Sequence, residues 1–167
     1  AIRPGDVNLM VAGSGIVHSE REREEVSSVA HQLHGLQLWL ALPIEHEEKD
    51  PAFYHYPGKD IPEVNIDGVT VRVIMGSAYG VTSPVKTFSN TLYFEAKLNK
   101  GQSLKLPKVQ ELGVYIPHGS VCVGEADLST YSMAVINQQE VQVVAKENTT
   151  IVIIGGDNIG KRFIDWN

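Results

Sequence analysis

Short segments that alternate between apolar and polar residues, each closed by a turn signal, constrain this chain more than any other feature. In the stretch from Thr91 to Leu98, the residues Leu92, Phe94, Ala96 and Leu98 fall on one face. Tyr93, Glu95 and Lys97 fall on the other, because successive side chains of a strand point to opposite sides. That period of two predicts a strand with one wet face. Val69, Val71 and Val73 repeat it, as do Val114 with Ile116, Val141 with Val143, and Thr150 and Val152 with Ile154. Ile66-Asp67-Gly68, Asn99-Lys100-Gly101 and His118-Gly119 supply turns between them. Short strands without helical periods between them predict an all-β antiparallel sandwich or barrel rather than a βαβ fold.

The stretch from Leu36 to Leu42 is apolar on both faces except at Gln37, which predicts a central strand covered on both sides and ended by Pro43. From there to Pro62, four prolines (Pro43, Pro51, Pro57, Pro62) stand among charges and aromatics, the composition of a connection between domains. The boundary is placed there, dividing residues 1–42 from residues 63–167. No internal repeat marks a duplication.

The 167 residues suffice for one or two small domains with a real core. With 43% hydrophobic and 20% charged residues the composition is that of a soluble globular protein. A net charge of −6 argues against a phosphate-binding surface, hence against direct nucleic-acid binding. The single cysteine, Cys122, allows no internal disulfide and sits between Val121 and Val123, as a half-buried strand thiol would. No apolar run is long enough to span a membrane and the start is no signal peptide. The expected location is cytoplasmic.

The chemistry concentrates near the start. The run from Pro4 to Glu20 passes through Gly13-Ser14-Gly15 and ends in His18-Ser19-Glu20. If extended, it points His18 and Glu20 the same way. An imidazole and a carboxylate side by side supply two-thirds of a 2-His-1-carboxylate site, which suits non-haem Fe(II). This run resembles a metal motif of the pirin family of bicupins. The same resemblance runs through His34-Gly35-Leu36-Gln37-Leu38-Trp39 and Val71-Arg72-Val73-Ile74. It continues in Gly80-Val81, Ser83-Pro84-Val85 and Ile153-Ile154-Gly155-Gly156, in the family's order.

The resemblance implies cupin (jelly-roll) barrels: the latter part of a first, metal-site barrel over residues 1–42, and a second, metal-free barrel over residues 63–167. It implies His18 and Glu20 as ligands of Fe(II) or another divalent transition metal, completed in relatives by an upstream His-x-His pair. Only half of the metal site is then encoded here, and the chain alone is expected to bind metal weakly. Through some relatives it implies quercetin 2,3-dioxygenase activity on a flavonol, with Glu20 doubling as a base for the substrate hydroxyl. It equally admits a metal-dependent transcriptional co-regulator working through protein contacts, for which no basic localisation cluster is present, or a catalytically silent product. An incomplete barrel leaves unpaired edges, so dimerisation or strand exchange is expected.

The other candidates take plainer readings. His34 and His31 are expected as structural histidines at a strand start, His46 and His55 as solvated or loop-packing residues, and His118 as a turn residue. Gly13-Ser14-Gly15 lacks the Gly-Lys-Ser/Thr of a phosphate loop, so its expected role is backbone freedom beside the metal. Met10, Val17, Leu36 and Leu38 are candidates to line an apolar pocket, with plain core the better reading of each taken singly.

Overall fold

The computed structural model describes residues 2–136 and 140–163. Strands dominate it: β1 (Val7–Val11), β2 (Ala52–Tyr56), β3 (Glu63–Ile66), β4 (Val69–Met75), β5 (Ser77–Ala78), β6 (Val81–Thr82) and β7 (Thr91–Leu98). They continue with β8 (Ser103–Lys105), β9 (Glu111–His118), β10 (Ser120–Val123), β11 (Ala126–Ser129), β12 (Met133–Ile136), β13 (Gln142–Ala145) and β14 (Thr149–Gly156). One turn of helix, α1 (Glu24–Ser27), lies in the charged run after Glu20. Among the described residues no helix is long and apolar enough to cross a membrane.

Two antiparallel sheets face each other, one in the order β12-β9-β14-β7-β4-β3 and the other in the order β11-β10-β13-β8. From β7 onward the chain passes repeatedly between them, with only the β10–β11 hairpin staying in one. This crossing is the jelly-roll architecture of cupins. Phe94, Leu104, Ile116, Ile151 and Ile153 are fully buried between the sheets, with Val69, Val71, Val73, Val114, Val121 and Val143. The alternation read in β4, β7, β9 and β13 is therefore the core itself. Asp67 and Gly68, both at positive φ, make the two-residue turn that joins β3 to β4, a geometry favoured because it matches the strand twist.

Three expectations need correction. In β14 the residues that enter the main core are Ile151 and Ile153; Thr150, Val152 and Ile154 face outward, with Val152 only 2% exposed. β14 is central and flanked by β7 and β9, so it is apolar on both faces and a period of two cannot choose the inner one. The stretch Leu36–Leu42 forms no strand: Leu36, Leu38, Trp39 and Leu40 are 43%, 41%, 69% and 46% exposed. An apolar pattern states what a segment buries once covered, and no described strand pairs with this one. Finally, the 43–62 stretch is more than a connection. Its β2 pairs antiparallel with β1, from Val7 opposite Tyr56 to Val11 opposite Ala52.

That β1–β2 pair sits on a second, smaller core. Ile61, Ile74, Met75 and Val85 are buried there, with Val7, Leu9, Tyr56 and Tyr93 packed around them. Tyr93 lies on the outward face of β7, and its burial pushes the phenol up to about 12, with nearby Glu95 adding to the effect and Arg72 opposing it. The start of the chain is thus fastened to the outer face of the larger sheet.

Candidate functional site

β1 delivers the chain into a tight turn. Gly13 has φ +53° and packs so closely that a Cβ there would overlap the Lys49 carbonyl oxygen. The Ser14 N–H donates to that same carbonyl at 3.0 Å, and the Gly15 N–H donates to the Ala12 carbonyl at 3.0 Å. Glycine is required here by both backbone and space. The backbone freedom read for Gly13-Ser14-Gly15 is used here in contact with the 43–50 segment.

Beyond the turn, His18, Ser19 and Glu20 lie on exposed, unpaired chain. Neither His18 nor Glu20 has a hydrogen-bond or ion-pair partner among the described residues. The pair offers one nitrogen and one oxygen donor, a chemistry suited to a divalent transition ion but short of the three or more protein ligands such sites use. Among the described residues, no group of three or more His, Cys, Asp or Glu side chains is placed to hold a metal ion. The two donors fit part of a metal site, and the described residues do not complete it.

The expected apolar lining does not converge. Val17 is fully exposed, Met10 is 37% exposed, and Leu36 and Leu38 are exposed as given above. The clefts lie elsewhere. One of about 290 Å³ is bordered by Thr70, Lys97, His118 and Thr150. Another of about 380 Å³ is bordered by Ile44, Phe88, Asp157 and Ile159. Both are shallow and neither includes His18 or Glu20.

The remaining histidines are mostly engaged. His31 turns Nδ1 to the Val29 carbonyl and Nε2 to Glu22, both at 3.0 Å. The Val29 carbonyl first, then Glu22, hold its pKa above the ordinary 6.5. It is structural as expected, but in irregular chain four residues past α1 rather than at a strand start. His34 is exposed and likewise outside any strand. His46 packs edge-on against Phe88, with ring centroids 5.4 Å apart. His118 ends β9 at the rim of the first cleft.

His55 is more than a solvated loop residue. Its Nδ1 lies 2.8 Å from Asn8 Oδ1, directly across the β1–β2 ladder, and its Nε2 lies 3.7 Å from Asp6. Asp6 accepts N–H bonds from Gly58 and Arg3, each at 2.8 Å. Those two bonds, the Gly58 one foremost, hold its carboxyl below the ordinary 3.8, and the His55 and Arg3 charges add to them. Sequence reasoning missed this clamp because its members meet only once β1 and β2 pair.

The comparisons with known proteins follow the same division. The Pirin family model matches residues 1–40, the segment that carries His18 and Glu20. A pirin-like protein of Caulobacter vibrioides is 40% identical over 169 residues, covering 99% of this chain and 58% of that protein. Pirin of Homo sapiens is 34% identical over 165 residues, covering 93% of this chain and 55% of that protein. A crystal structure of quercetin 2,3-dioxygenase from Acinetobacter baumannii superimposes with a TM-score of 0.87 at 27% identity, covering 98% of this chain and 59% of that one. The chain thus spans about half the length of the curated relatives it matches. Likeness along the whole chain, joined to a shared jelly-roll sandwich, makes it a member of the pirin family within the cupin superfamily, related to structures of the quercetin 2,3-dioxygenase type.

Proposed function

We propose that His18 and Glu20 are two protein ligands of a mononuclear divalent transition metal, Fe(II) foremost, in a quercetin 2,3-dioxygenase-like oxidoreductase that acts on a flavonol-like aromatic substrate. One observation carries the reading. Inside the segment that matches the family, His18 and Glu20 are exposed donors without partners among the described residues and stand two apart, whereas His31 is engaged by Val29 and Glu22, and the exposed His34 has no carboxylate two residues on. In this reading residues 1–42 belong to the metal-site barrel, residues 63–167 form the second barrel, and further ligands come from beyond the described residues. When bound, the ion supplies Lewis-acid and redox chemistry toward substrate and dioxygen. Neutral imidazole at His18 and carboxylate at Glu20 hold it. An oxygen of Glu20 accepts the proton of the substrate hydroxyl.

The test is elemental analysis of this chain and of a parent protein that contains it together with the upstream strand, with His18→Ala and Glu20→Ala in the parent. Such a parent should carry about one ion per chain, and either substitution should lower its affinity by roughly 10-fold or more, the scale on which lesser perturbations at metal sites act. Retention of the ion after both substitutions would sink the ligand assignment. A metal-dependent protein-interaction role is the second reading, favoured by the exposed Leu33, Leu36, Leu38 and Leu40. A metal-loaded protein that consumes no flavonol under dioxygen would select it.

A further inference from the structure

We propose that β12 is a docking edge for a second copy of this chain, the two β12 strands pairing antiparallel so that the larger sheets of two molecules become continuous. Among the described residues the two sandwich sheets present four edges: β12, β3, β11 and β8. An edge strand leaves a row of backbone N–H and C=O groups unpaired, and proteins ordinarily guard it with charge or proline. β3 carries Glu63 and follows Pro62, β11 carries Asp127 and follows Glu125, and β8 carries Lys105 ahead of Pro107 and Lys108. β12 carries no such guard. From Leu128 to Ile136 the chain has no charged residue, no proline and no glycine.

The same edge is apolar on its outward face. Val135 is 72% exposed, Met133 53% and Tyr131 79%. Met133 stands opposite Tyr115 and Val135 opposite Gly113 in the β12–β9 ladder. Gly113 lets the Met133 side chain lie across it, since a Cβ there would come within 2.8 Å of the Met133 methyl. The strip continues into Ile154, which is opposite Gly113 on the other side.

The occupant follows from charge and register. The chain carries a net charge of −6, so two copies repel unless they meet where charge is absent. Edges β3, β11 and β8 each carry a charged residue into any such pairing; β12 carries none. An antiparallel pair centred on Ala134 sets the small Ala134 side chains opposite each other. Met133 of each copy then faces Val135 of the other, all on the same outward side, as strand alternation requires. This is a self-complementary twofold contact. A ladder this short buries less than a standard interface, so the dimer should be weak and in the micromolar range.

Sedimentation equilibrium across a concentration series tests it, on the wild-type chain and on Val135→Lys, Met133→Lys and Val144→Lys. Val144 is 38% exposed on β13, in the other sheet. The expected result is a reversible dimer weakened at least tenfold by Val135→Lys and by Met133→Lys, and left alone by Val144→Lys. Circular dichroism melts identify any variant that fails to fold, and two independent edge variants keep the test decisive. A monomer at every concentration overturns the proposal. So does a dimer insensitive to both edge variants, or one weakened equally by Val144→Lys.

Discussion

Gly13→Ala should loosen the base of the His18–Glu20 segment while leaving the main sandwich intact. At φ +53° an alanine costs about 1–2 kcal/mol for the left-handed conformation. Its Cβ would also overlap the Lys49 carbonyl oxygen, so the two segments must separate. The hydrogen bond from Ser14 N–H to that carbonyl is then lost, worth about 0.5–1.5 kcal/mol. Together these give roughly 2–3 kcal/mol, and at about 1.4 kcal/mol per factor of ten the opening equilibrium shifts by roughly 30- to 150-fold. Because among the described residues β1 pairs only with β2, and that pair rests on the smaller core, opening can be local. Native-state hydrogen exchange is the assay. Amides of β1 and β2 should exchange faster by that factor, with those of β7, β9 and β14 unchanged. Gly35→Ala is the control. Nothing lies within 4 Å of a Cβ there, and its backbone is outside the left-handed region. It should change β1 exchange several-fold or less. Equal effects from the two variants, or no effect from Gly13→Ala, would refute the reasoning.

Other outcomes are expected at sites that differ in kind. Phe94 is fully buried and meets Tyr79 edge-on, with ring centroids 5.6 Å apart, so Phe94→Ala should cost about 3–5 kcal/mol in urea unfolding. Tyr79→Phe removes a 2.8 Å bond to the Lys105 carbonyl and should cost about 1 kcal/mol. The lowered Asp6 carboxyl favours the folded β1–β2 unit above its ordinary pKa of 3.8. That contribution is lost as pH falls through the lower folded value. An Asp6→Asn variant should therefore differ from wild type at neutral pH and converge with it in acid, as read by β1 amide exchange. The raised His31 works in the opposite sense, stabilising below 6.5 and losing its effect as pH rises through the folded value. In an NMR titration Glu22→Gln should move His31 back only part of the way, because the Val29 carbonyl remains.

The sandwich was legible because burial on one face leaves a mark every second residue. Val69, Val71, Val73, Phe94 and Ile116 announce their strands and their inward face together. β14 shows where that signal fails, since Ile151–Ile154 is apolar throughout and centrality in the sheet makes both faces apolar. β2 was hidden for another reason. Ala52–Tyr56 stands among prolines, and its partner β1 lies about forty residues earlier, so nothing local marks it as a strand. At the candidate site, the turn at Gly13 was readable from glycine spacing. The contact with Lys49 that makes glycine necessary was not, because it joins distant segments.

The segment from Leu36 to Leu42 joins the fold to the proposed function. Leu36, Leu38 and Leu40 are each left about two-fifths exposed or more. Burying a leucine fully is worth about 1.5–3 kcal/mol, so each forgoes on the order of 1 kcal/mol in this arrangement. A sequence that repeats this cost at alternate positions is patterned for cover that the described strands do not provide. His18 and Glu20 show the same condition in polar terms, as two donors suited to a metal site that needs more. Both deficits fall inside or directly beside residues 1–40, the stretch that matches the Pirin family model. The proposed function gives both a single cause: in that reading these residues belong to a barrel whose other strands supply apolar cover and further ligands together. The two readings therefore stand or fall jointly. In a parent protein that supplies those strands, the amides of residues 36–42 should be protected from exchange wherever His18 and Glu20 hold an ion. Metal binding with those amides unprotected would separate the apolar pattern from the site and refute the common cause.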